Sequence, residues 1–117
     1  MVPVVYAYNG CGTCRKALQW LEARRIHPNV LAIRETPPSV RDLEKALEQV
    51  GNLKSLFNVS GGDYKELGLK DRLSELSTAQ ALELLASRGN LVKRPFVRAG
   101  ARYLVGFREE EWSEVFP

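Results

Sequence analysis

Two thiols, Cys11 and Cys14, are the only ones in this chain, and they stand two residues apart in N-G-C-G-T-C-R-K, residues 9–16. A metal site, a structural bridge and a redox centre all use such a pair. Zinc takes about four protein ligands in a closed site and three plus water in a catalytic one. His27 is the sole histidine, so carboxylates would have to complete a zinc site. Haem attachment requires His directly after the second cysteine, where this chain has Arg15. In a reducing compartment a lone CxxC is seldom a structural staple. The bland alternative is a pair of small buried hydrophobes.

The redox reading has a mechanism. A cysteine in the first turn of a helix meets unpaired backbone N–H groups and the positive end of the macrodipole, both of which favour thiolate over thiol. Arg15 adds positive charge one turn along, with Lys16 beside it. Cys14, one turn from Cys11, is placed to attack a mixed disulfide or sulfenate formed on Cys11. Gly12 leaves the approach to that sulfur open. The same helix terminus, with an arginine, also cradles a tetrahedral oxyanion. Cys11 thus reads as nucleophile and Cys14 as resolver, with no metal expected.

The elements that must hold this pair follow from pattern. "VVYAY" (4–8) is β-rich and ends at Asn9-Gly10; Ala17, Leu18 and Leu21 then recur at helical spacing to about Arg25. "HPNVLAI" (27–33) reads as a second strand, with Pro28 at its start or on an edge. This β–α–β unit implies parallel strands and a right-handed crossover. Ser39 and Asp42 resemble a capping box before a helix that Gly51 stops. A short helical piece at 53–57 and a turn at "NVSGGD" follow. Ser77 with Gln80 caps a further helix that Gly89 closes. "PFVRAGARYLVGF" reads as a hairpin turning near Ala99-Gly100, and "REEEWSEVF" as a last helix with acids in its first turn. Trp20, Phe107, Trp112 and Phe116 read as core. The order predicts an α/β, thioredoxin-like fold: a mixed four-stranded sheet, β-α-β then β-hairpin-α, with a helical insertion at about 39–89.

At 117 residues the chain fits one domain, 1–117, able to bury roughly two thirds of its unfolded surface. No apolar run approaches the roughly 20 residues of a membrane span, and no signal-peptide pattern opens the chain. A cytoplasmic protein with no membrane partner is expected. The net charge of +3 comes from dispersed Lys and Arg, which reads as solvated surface and not as a nucleic-acid patch.

With "NGCGTCRKALQWLE", "NLVKRPFV" and "LVGFREEEWSEVFP" together, the chain resembles the arsenate-reductase-like (ArsC/Spx) family over essentially its whole length. That family includes glutaredoxin-coupled arsenate reductases and the redox-sensing regulators called Spx. The resemblance implies that Cys11 is the nucleophile and Cys14 the resolving thiol. It also implies that Arg94 contacts an oxyanion and that Pro95 follows a cis peptide bond. Gly12, Thr13, Arg15, Arg94 and Pro95 are the candidate substrate-binding residues. Two family arginines are missing: Ser60 and Gly106 stand at their places, although Arg102 and Arg108 are near the second. The expected function is a thiol-dependent oxidoreductase acting on a disulfide, a glutathione adduct or a small oxyanion. It would bind no cofactor, and glutathione with glutaredoxin, or thioredoxin, would be its electron donor. Expected partners are a small-molecule thiol or a redox protein. The alternative is an Spx-like regulator whose output is contact with RNA polymerase.

Overall fold

The computed structural model describes residues 2–117. Its four strands are β1 (Val4–Ala7), β2 (Asn29–Ala32), β3 (Phe96–Ala99) and β4 (Arg102–Val105), in the sheet order β2-β1-β3-β4. β1 and β2 are parallel with Val5 opposite Val30, whereas β3 is antiparallel to both β1 and β4. Helix α1 (Gly12–Ala23) makes the crossover, α2 (Val40–Val50) to α5 (Thr78–Ser87) separate β2 from β3, and α6 (Glu109–Val115) ends the chain.

Alternation along the strands divides the core into two layers. Val5, Ala7, Val97, Ala99 and Leu104 face α1 and α6, where they meet Cys14, Ala17, Leu21 and Trp112. Tyr6, Phe96, Tyr103 and Val105 face the other way, onto Leu43 and Ala46 of α2 and Leu82 and Leu85 of α5. In the first layer Trp20 stacks edge-on against Phe107, Trp112 and Phe116, so the four aromatics form one cluster. Trp112 is fully buried there, and its indole N–H donates to the Gly106 carbonyl at 3.1 Å.

The expected elements form, with four differences. β2 is shorter than 27–33 and lies on the sheet edge with Val30 exposed. The last two residues of the expected turn at 58–63 already belong to a helix, and residues 62–72 fold into α3 (Gly62–Glu66) and α4 (Leu69–Arg72). Helices of five and four residues are too short to show a 3.6-residue apolar period, and they are anchored by single buried side chains, Tyr64 and Leu69. The capping box at Ser39 is half formed: Ser39 Oγ accepts from the Asp42 N–H, but the Asp42 carboxylate turns away to Tyr103 and Arg98. Ser77 and Gln80 make the full reciprocal box. Gly89 does not close α5, which ends at Ser87; it lies where a Cβ would fall 1.7 Å from the Ile33 carbonyl oxygen.

β4 is the second edge of the sheet, and Gln49 of α2 covers part of it. The Gln49 side-chain amide donates to the Ala101 carbonyl at 2.7 Å and accepts from the Tyr103 N–H at 2.8 Å, as a neighbouring strand would. Among the described residues no helix is long and apolar enough to cross a membrane.

Candidate functional site

The carboxyl end of β1 runs through Tyr8 into the thiol loop. Asn9 and Gly10 turn the chain, the Cys11 N–H donates to the Tyr8 carbonyl at 3.0 Å, and α1 begins at Gly12. Cys11 is the residue immediately before that helix, with an extended backbone at φ −95° and ψ 114°. Its Sγ accepts from the Cys14 N–H at 3.3 Å, so the sulfur itself caps one of the helix's free donors.

The two thiols sit in opposite environments. Burial alone pulls the half-buried Cys11 thiol upward. Hydrogen bonds from the Cys14 thiol and N–H, the Arg94 charge and the Thr13 N–H outweigh it, so Cys11 titrates below the usual thiol range. Cys14 is 1% exposed. Burial, its hydrogen bond to the Cys11 sulfur and the Cys11 charge push its thiol up to about 12. One sulfur is therefore accessible and readily ionised, and the other is a buried proton holder beside it.

Of the predicted site residues, Gly12 and Thr13 are exposed between the thiols, and a Cβ on Gly12 would meet nothing closer than Arg15 Nη2 at 3.8 Å. The Arg94–Pro95 peptide is cis. Pro95 is buried, and its carbonyl accepts from the Gly106 N–H at 2.9 Å. Arg94 is the arginine whose charge acts on both thiols. Its Nη1 is buried and finds no hydrogen-bond acceptor among the described residues, which leaves a donor of a permanent cation for an incoming anion. Arg15 is placed differently from expectation. Its Nη1 donates to the Asn9 carbonyl at 2.8 Å, so it staples the thiol loop, and the charge acting on Cys11 is that of Arg94.

Three participants, Tyr8, Arg34 and Lys93, escaped the sequence reading. The Tyr8 ring carries Arg34 at 4.7 Å and Arg94 at 5.3 Å from its centroid, both within cation–π range. Arg34 follows β2, and only the parallel β1–β2 pairing brings it to the end of β1; spacing in the sequence gives no sign of it. Lys93 lies across Gly106, whose φ of +79° suits glycine and whose Cβ would fall 3.0 Å from Lys93 Cε. Ser60 does not line the cleft beside the thiols, whereas Gly106 does. That cleft, of about 890 Å³, reaches the thiol loop at Thr13 and Arg94, with neither sulfur in its lining, and runs from there along β4. Among the described residues no three His, Cys, Asp or Glu side chains converge as a metal site requires.

A mixed sheet with a CxxC at the end of β1 and a cis-proline before β3 defines a thioredoxin-like protein. Within that class, the sequence model of the ArsC family matches residues 6–115. The chain belongs to the ArsC family. It is 46% identical to protein YusI of Bacillus subtilis over 93% of either chain. It is 32% identical to an arsenate reductase of Neisseria meningitidis over 82% of either chain. The crystal structure of a putative ArsC family related protein from Bacteroides fragilis superposes with a TM-score of 0.91 at 37% identity, covering 98% of both chains.

Proposed function

We propose that this chain is a thiol–disulfide oxidoreductase in which Cys11 attacks and Cys14 resolves. The carrying observation is the asymmetry of the pair: an accessible thiolate-prone sulfur capping α1, and a buried thiol pushed up to about 12. The Cys11 thiolate attacks one sulfur of a substrate disulfide; that S–S bond breaks, a Cys11 mixed disulfide forms, and the other half leaves as a thiolate. The Cys14 sulfur then attacks Cys11 Sγ. Its proton goes to the departing second thiolate, and the Cys11–Cys14 bond forms. The substrate disulfide gains two electrons and becomes one thiol and one thiolate, the thiolate taking its proton from water, while the CxxC pair is oxidised to a disulfide. Two equivalents of a small thiol such as glutathione, or one dithiol protein of the glutaredoxin or thioredoxin kind, restore the reduced pair and leave as a disulfide.

Arg94 steadies the Cys11 thiolate, and its free Nη1 steadies negative charge on whatever approaches. Gly12 and Thr13 keep the approach to Cys11 open and polar, and Arg15 holds the loop shape through Asn9. Trapping tests the assignment. A Cys14→Ser variant treated with a peptide disulfide should stall with the peptide on Cys11, seen as a single mass adduct; Cys11→Ser should form none. An adduct on Cys14 in the Cys11→Ser chain, at a rate matching the parent, would reverse the roles.

A further inference from the structure

We propose that the uncovered end of the β4 edge docks an extended, acidic peptide segment of a protein substrate carrying the disulfide. This rests on the thiol–disulfide reading and names the substrate class for that same site.

Size is the first observation. The cleft of about 890 Å³ beside the thiols is near the top of the range of roughly 300–1,000 Å³ that holds whole organic ligands. A tetrahedral oxyanion would leave most of it empty. The second is charge. Lys54, Lys93, Arg94, Arg102 and Arg108 line the cleft against a single carboxylate, Glu111, which pairs with Arg108 at 3.2 Å. The other four cations have no ion-pair partner among the described residues. Low-dielectric walls lined by one sign of charge concentrate ligands of the opposite sign.

The third observation concerns the backbone. Gln49 occupies the Ala101 carbonyl and the Tyr103 N–H, which therefore point away from β3. A strand residue's N–H and C=O point to the same edge, as do those two residues on. The Tyr103 carbonyl and the Val105 N–H thus face the cleft, and no group among the described residues bonds them. An acceptor and a donor are open at the end of β4 nearest the thiols. An extended peptide supplies the complementary pair by strand addition. Tyr103 to Gly106 spans about 10 Å, so roughly three residues beside the reacting cysteine would lie along it. A nucleic acid would satisfy the cations but has no backbone N–H for the Tyr103 carbonyl.

The test uses the full reduced chain and three peptides of equal length. Each carries one cysteine as a 2-thiopyridyl disulfide and differs only in acidic, neutral or basic flanks; release of the thiopyridone gives the rate. At low salt the acidic peptide should react at least about tenfold faster than the basic one. The ratio should fall toward one at about 1 M salt, where the screening length is about 3 Å. N-methylation of the acidic peptide's backbone beside its cysteine, which leaves charge unchanged, should slow it. Combining Lys93→Glu with Arg102→Glu leaves three cations against three carboxylates and should abolish the preference, whereas Arg102→Lys should retain it. Equal rates for all three peptides would overturn the docking proposal and leave the role of Cys11 standing. Failure of every peptide to release thiopyridone, or release undiminished in the Cys11→Ser chain, would overturn both. A single-stranded oligonucleotide that blocks the acidic peptide as well as a cysteine-free acidic peptide does would overturn the assignment to a peptide.

Discussion

At the scale of single residues, the thiol loop turns on which arginine faces which group. Type and spacing marked Cys11, Cys14 and the arginine one turn into α1, and the nucleophile-resolver geometry follows from local helix physics. Arg15 and Arg94 could not be ranked from spacing, because one lies in the first turn of α1 and the other some eighty residues away. The fold decides: Arg15 goes to the Asn9 carbonyl, and Arg94 to the thiols. Arg94→Ala should therefore raise the Cys11 pKa and slow its alkylation by iodoacetamide at neutral pH, the difference vanishing once both thiols are fully ionised. Arg15→Ala should leave that titration in place. A slowing by Arg15→Ala alone would return the charge to Arg15. Gly89 carries a steric demand of a different kind. Gly89→Ala would press a methyl group onto the Ile33 carbonyl, and a cost of about 1–3 kcal/mol or more is expected. A fall in the urea midpoint at unchanged slope reads it.

Among elements, α2 is tied to the sheet by Gln49 at the β4 edge and by a buried polar knot around Asp42. Asp42 is buried at 8% exposure, accepts from the Tyr103 hydroxyl at 2.7 Å, and pairs with Arg98 at 2.9 Å. Tyr103 is pushed up to about 12 by burial, by its bond to Asp42 and by the Asp42 charge, so it stays a donor. Arg98 is 40% exposed, which weakens the ionic part of the knot. Asp42→Ala leaves a buried hydroxyl unpaired, and a loss of about 1–3 kcal/mol is expected. In a cycle with Tyr103→Phe, the double variant should lose less than the sum of the two singles; strict additivity would mean that the hydroxyl and carboxylate do not stabilise one another. The sequence showed Ser39 and Asp42 as a cap and could not show that the carboxylate serves another strand. It likewise showed the long amphipathic helices and the hairpin, whose periods run over many residues. The short helices α3 and α4 left no period to read. Arg34 and Lys93 entered the site through strand pairing and backbone turns, which no local pattern records.

The whole molecule carries these local ionisations into its stability. In the unfolded chain Cys14 ionises near about pH 8.5, whereas in the folded protein it keeps its proton to about 12. The unfolded state then binds fewer protons, so stability falls as pH rises through that window. Tyr103 adds a fall of the same sign from about pH 10. Cys11, shifted the other way, contributes a rise below about pH 8.5. Urea unfolding at stepped pH under reducing conditions should show this, and Cys14→Ser should remove the decline that begins near pH 8.5. Arsenate turnover with glutathione and glutaredoxin should be weak. The resemblance puts Ser60 and Gly106 where arginines would hold the oxyanion. Two lost contacts of about 1.5–3 kcal/mol each correspond to a hundredfold or more in affinity. Robust turnover, abolished by Cys11→Ser, would overturn that expectation. The aromatic cluster gives such experiments an optical handle. The protein has two tryptophans, and both lie in that cluster, packed in the layer that holds Cys14. The indole of Trp112 is bound to the carbonyl of Gly106, which lines the cleft. All indole emission thus comes from one place between the thiol helix and the cleft wall. Occupation of the cleft and docking of the last helix should each register as a change in colour or brightness, without any label.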